Sequence, residues 1–93
     1  MIKHIVMWNL SDKTLKSQNG AAMKEKLEAL VGIVPGLLCA EVGVGFEGYD
    51  VVLYTELANR AALAVYQNHP AHCKVKEFIH GVACERVCCD YEV

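Results

Sequence analysis

Ile2-Lys3-His4-Ile5-Val6-Met7-Trp8-Asn9-Leu10 is rich in β-branched and aromatic residues and runs into Ser11-Asp12, so it predicts a strand ending at a turn. Alternation puts Ile2, His4, Val6 and Trp8 on one face and Lys3, Ile5 and Met7 on the other. Both faces are largely apolar. Such a strand needs cover on both sides, helices on one and something further on the other.

Working outward, apolar Ala22, Met23, Leu27, Leu30, Val31 and Val34 recur at three- and four-residue steps, opposite Lys24, Glu25, Lys26 and Glu28. The pattern predicts an amphipathic helix from about Lys13 to Val34, weakened by Gly20 and stopped by Pro35-Gly36. Strand character returns over residues 37–45 and again from Val51 to Leu57. Asn59 offers a helix N-cap, and the helix it starts cannot run smoothly through His69, because a residue before proline is pushed out of the α region. Pro70 then starts a short helix to about Ile79, with Val75, Phe78 and Ile79 turned inward. Residues 84–93 alternate, with Val87, Cys89, Tyr91 and Val93 on one face and Arg86, Cys88, Asp90 and Glu92 on the other.

The order βαββαβ is the split βαβ, or ferredoxin-like, pattern of the α+β class: a four-stranded antiparallel sheet with helices on one face, and one domain over residues 1–93. Apolar residues make up 54% of the chain, a surplus for a domain this small that calls for a second buried face. The expected partner is therefore another copy. A homodimer through the open sheet face would bring Lys3, Ile5 and Met7 together with their counterparts and close a dimeric α+β barrel.

A net charge of −2 with scattered lysines excludes a nucleic-acid binder, and no apolar run approaches the roughly 18 residues of a membrane span. With no signal-peptide core after Met1-Ile2-Lys3-His4, a cytoplasmic protein is expected. Cys39, Cys73, Cys84, Cys88 and Cys89 lack the paired spacing of a zinc site and read as reduced thiols. Gly43-Val44-Gly45-Phe46-Glu47-Gly48 resembles a dinucleotide loop but lies between strands, so it reads as a hairpin and no cofactor is expected. Helix-end carbonyls near Val31, Val34 and Leu37 are a conceivable Mg²⁺ or Na⁺ site, with ordinary capping the favoured reading and no metal expected.

Chemistry concentrates in Tyr66-Gln67-Asn68-His69-Pro70-Ala71-His72. His72 would sit in the first turn of a helix, where the dipole disfavours a cation, so a neutral imidazole suited to act as a base is expected. Tyr66, one turn before His69, is placed to donate a hydrogen bond to an enolate or carbonyl oxygen. His4 joins them only if its strand face looks toward the helices. The alternative makes His4 a satisfied core histidine, His69 a cap and Tyr66 a packing aromatic. His69 and His72 lack a third ligand for zinc; Cys73 points about 100° away from His72 and reads as packing, and His80 should meet terminal carbonyls at a helix end.

Through Lys3-His4-Ile5-Val6, Val34-Pro35-Gly36, Tyr49-Asp50-Val51-Val52-Leu53-Tyr54, the 66–72 stretch and Asp90-Tyr91, essentially the whole chain resembles the stress-responsive A/B barrel (Dabb) domain family. The resemblance implies a dimeric ferredoxin-like barrel. The family includes stress-associated oligomers and polyketide cyclases of the olivetolic acid cyclase type, which close a linear poly-β-ketone thioester. In the cyclase, a strand-one histidine, a helix tyrosine and the second histidine of His-Pro-Ala-His line the pocket; His4, Tyr66 and His72 occupy those positions here. The resemblance thus implies His72 as general base, Tyr66 as oxygen stabiliser and His4 as a supporting group, with His69, Trp8 and Val6 as contacts to a small apolar carbonyl ligand. The other functions it leaves open are a cofactor-free monooxygenase and a non-enzymatic stress-related homo-oligomer or small-ligand binder.

Overall fold

The computed structural model describes residues Met1–Val93. Strands β1 (Ile2–Leu10), β2 (Leu37–Val44), β3 (Val51–Leu57) and β4 (Ala83–Glu92) form one sheet in the order β2-β3-β1-β4, every neighbouring pair antiparallel. Helices α1 (Lys16–Glu28), α2 (Arg60–Asn68) and α3 (Pro70–Val82) complete the ferredoxin-like βαββαβ order. Along β1 the residues Ile2, His4, Val6, Trp8 and Leu10 are buried under the helices, while Lys3, Ile5 and Met7 are half-buried on the other face. The alternation predicted from sequence is thus the alternation observed, and His4 looks toward the helices.

One apolar cluster takes in Met23 and Leu27 of α1, Leu53 and Leu57 of β3, Tyr66 of α2 and Ile79 of α3, so the helices and the central strands share a single core. Gly20 belongs to this packing: a Cβ there would come within 2.7 Å of Val44 Cγ2. The residue that weakens helix propensity is what lets α1 lie close to the sheet.

α1 is shorter than its hydrophobic spacing suggests. A short 3-10 turn (Lys13–Leu15), capped by Asp12, precedes it, and it ends at Glu28 rather than Val34. Beyond Glu28 the chain tightens, with Leu30 N donating to Leu27 O at 3.2 Å and Val31 N to Glu28 O at 3.3 Å. Gly32 takes φ +89, a left-handed conformation that turns the chain within these tight turns past the helix end. Leu30 and Val34 are nevertheless buried, so apolar spacing survives where the helix does not. In the same turn the Val34 carbonyl accepts the Leu37 amide at 3.3 Å.

The glycine-rich segment is a hairpin loop between β2 and β3, closed by Gly45 N donating to Asp50 O at 2.8 Å. Asp50 itself is buried and ties this hairpin to β1: its Oδ2 accepts the Leu10 amide at 2.8 Å, its amide donates to Trp8 O, and Lys13 and Lys16 pair with it. The Leu10 amide and then Lys13 hold its carboxyl below the usual carboxylate range.

Two left-handed glycines separate backbone strain from steric exclusion. At Gly36 (φ +83) a Cβ would lie 2.6 Å from the Ala62 Cβ; at Gly48 (φ +85) it would meet nothing within 4 Å. Gly48→Ala should cost about 1 kcal/mol of unfolding free energy, from strain alone. Gly36→Ala should cost about 2–4 kcal/mol, because α2 must also move away. Equal losses for the two variants in urea unfolding would show that the Gly36–Ala62 approach contributes nothing.

Candidate functional site

His69 lies between α2 and α3, with an extended backbone at φ −65 and ψ 134. Proline forces that conformation on the residue before it, and the side chain turns it to use: His69 Nδ1 accepts the Ala71 amide at 3.1 Å, capping α3. One turn further on, His72 is buried and its Nδ1 lies 2.9 Å from the Tyr66 carbonyl at the end of α2. A carbonyl oxygen only accepts, so Nδ1 carries the proton and Nε2 is left with its lone pair.

The Tyr66 ring stacks on the His72 imidazole at 4.0 Å between centroids and meets the His4 ring edge-on at 5.9 Å. Desolvation lowers the His72 pKa to about 4, so the imidazole is neutral at neutral pH. Burial likewise pushes the Tyr66 phenol well above its ordinary range, keeping it a hydrogen-bond donor. His4 is buried, and its Nδ1 bonds to Asp90 Oδ1, with Asp90 directly opposite it in the β1–β4 ladder.

His4 and His72 both line a small recess of about 50 Å³ between α3 and the sheet, floored by Val6, Trp8 and Leu53. At Trp8, Ile79, His80 and Arg86 the recess meets an open cleft of about 330 Å³ that continues past Ala83 and Glu85. The fold therefore brings together His4, Val6, Trp8 and His72 on one cavity, with Tyr66 packed behind the two imidazoles. His69 does not line the recess; it holds the turn that presents His72.

Three lining groups escaped the sequence reading. α3 runs to Val82, which leaves His80 in its last turn as expected, and there the side chain lines the cavity. Lys76 lines the recess, its Nζ donating to Gln67 O at 2.7 Å. Arg86 is opposite Trp8 in the ladder and so shares the helix-facing side of the sheet. Its place in the alternating β4 pattern is visible in the sequence, but its partner on β1 is not.

His4, Cys88 and Asp90 are the three residues whose donor atoms come within 4.8 Å of one another in a potential metal set. Burial and the Asp90 charge push the Cys88 thiol up, however, and His4 Nδ1 is already bonded to the carboxylate. The arrangement favours a hydrogen-bonded thiol over the thiolate that a metal takes.

No curated protein matches the chain significantly. Among solved structures, a dimeric protein of unknown function with a ferredoxin-like fold from Bacteroides fragilis is 30% identical over 99% of this chain and 95% of its own, with a TM-score of 0.90. A dimeric ferredoxin-like protein of unknown function from Thermobifida fusca is 21% identical over 99% and 90%, with a TM-score of 0.85. An antibiotic biosynthesis monooxygenase shares the fold at 16% identity over 100% and 98%, with a TM-score of 0.82. Residues 2–93 match the Stress Responsive A/B Barrel Domain, Dabb. With the match spanning β1 through β4 and the His-Pro-Ala-His turn inside it, the chain belongs to the Dabb family.

Proposed function

We propose that the recess binds a small β-keto or polyketide-like ligand and performs general-base chemistry on it without a cofactor, as a cyclase or lyase would. The observation that carries this reading is the His72–Tyr66 backbone bond, which leaves an unprotonated Nε2 on a buried imidazole beside a cavity. His72 Nε2 would take a proton from a methylene next to a carbonyl, and the electron pair would move onto the carbonyl oxygen. Tyr66, stacked on the imidazole and not lining the recess, would hold His72 in place, while His4, held by Asp90, positions the carbonyl. A recess of about 50 Å³ has room for only a few water-sized groups, so it suits the reacting end of a ligand, with the remainder in the outer cleft against Trp8.

One observation favours a second reading, a small-ligand binder without turnover. A His72 pKa of about 4 makes a weak base at neutral pH, below the range where general-base catalysis is most effective.

The functional unit in both readings is a homodimer. Ile5, Met7, Val87 and Cys89 line an apolar depression of about 180 Å³ on the sheet face that carries no helix. The dimeric state of the similar structures supports a homodimer, and the apolar character of this face supports pairing through it. No helix of the chain is long and apolar enough to cross a membrane. Five free cysteines fit a reducing compartment, and with it a cytoplasmic location.

Ile5→Lys should give a folded monomer by light scattering, since it places a charge in the middle of the proposed interface. A variant that stays dimeric would move the interface elsewhere. With a poly-β-ketone as substrate, His72→Gln should lose about a hundredfold or more in turnover and Tyr66→Phe, which keeps the stacked ring, far less, both with unchanged circular dichroism. Unchanged turnover in His72→Gln would rule out this mechanism; a bound but unconverted substrate in the wild type would establish the binder.

His72 also makes a prediction about stability. Its folded pKa of about 4 lies below the unfolded value near 6.5, so between those values the unfolded chain holds the extra proton. The contribution is fully present above about pH 6.5 and is lost as the pH falls toward 4, amounting to about 1–3 kcal/mol. Urea unfolding of the wild type should therefore weaken over that window more steeply than that of His72→Gln. Parallel slopes would mean that the imidazole titrates normally.

A further inference from the structure

The recess is lined by three imidazoles, by Lys76 and by Arg86, and no carboxylate lines it. Asp90 stands behind His4 and is bonded to it, and Lys76 is bonded to the Gln67 carbonyl. Glu85, in the outer cleft, accepts a bond from Asn9 Nδ2 at 2.6 Å. Arg86 forms none of the chain's salt bridges, which involve His4, Lys13, Lys16, Lys24 and Arg60. It lines both the recess and the cleft, at the point where the two meet.

Arg86 is exposed at the mouth of the cavity and has no acidic partner, so its guanidinium is open to an anionic ligand, and a neutral His72 cannot supply positive charge in its place. The planar fork of a guanidinium matches a carboxylate, donating two parallel hydrogen bonds to its oxygens. We infer that Arg86 is a specificity-determining residue, and that the ligand is a β-keto carboxylate whose carboxylate lies on Arg86 while its carbonyl end enters the recess toward His72. This rests on reading the recess as a ligand site and adds the charge of the ligand to it. The charge of Arg86 also reaches Tyr66, His72 and Cys88, in keeping with a position central to the cavity.

Acetoacetate and pentane-2,4-dione test this, since they differ mainly in a carboxylate against a methyl ketone. Each is titrated at pH 7 into uniformly labelled wild type, Arg86→Gln and Arg86→Lys, following the imidazole resonances of His4 and His72 by NMR. In the wild type acetoacetate should bind about tenfold or more tightly than the diketone. Arg86→Gln should bring acetoacetate down to the level of the diketone without changing the diketone affinity, and Arg86→Lys should fall between. Equal wild-type affinities, or a preference that survives Arg86→Gln, would overturn the role of Arg86 while leaving the recess a ligand site. If neither compound moves either imidazole, the recess binds no such ligand and both readings fall.

Discussion

Everything in the candidate site depends on the chain being unable to continue as a helix through His69-Pro70. A helix that stops leaves its last carbonyls without partners. Here the Tyr66 carbonyl keeps only a long 3.4 Å bond from the His69 amide, and the restart of helix at Pro70 brings the His72 imidazole back over it. One backbone break thus completes the bonding of a helix-end carbonyl, chooses the imidazole tautomer and stacks a phenol on the same ring. The histidine before the proline spends its own ring on the cap, so the two histidines of the turn have separate tasks.

The sheet supplies the other half. Because β1 and β4 run antiparallel in a fixed register, His4 meets Asp90, Val6 meets Cys88 and Trp8 meets Arg86. A slip of one residue would carry all three β4 side chains to the opposite face. The recess is then bounded by a helix start on one side and by cross-strand pairs on the other, with a lining that is cationic and aromatic.

Local rules made much of this legible in the sequence. Strand alternation gave the face of Val6 and Trp8, and proline stereochemistry placed the α2–α3 break at His69. Whether His4 faced the helices needed the packing of the sheet. The end of α1 was misread because Leu30 and Val34 keep helical spacing through tight turns that Gly32 makes possible. Arg86, Asp90 and His80 escaped because their place depends on long-range register and on how far α3 runs. The irregularity between Asn9 and Leu10, which shifts the pairing at the start of β4, has no marker in the amino-acid pattern.

The tautomer of His72 is written in the main chain. Any replacement at position 66 retains the carbonyl, so an exchange of side chain alters the stacked ring and the donor while the proton on Nδ1 keeps its acceptor. The basic nitrogen is therefore buffered against single substitutions, and its loss requires exchanging the imidazole itself or changing the length of the turn. A lineage can explore new chemistry around the cavity, through positions such as Tyr66 and Arg86, without first losing the group that gives the site its reactivity.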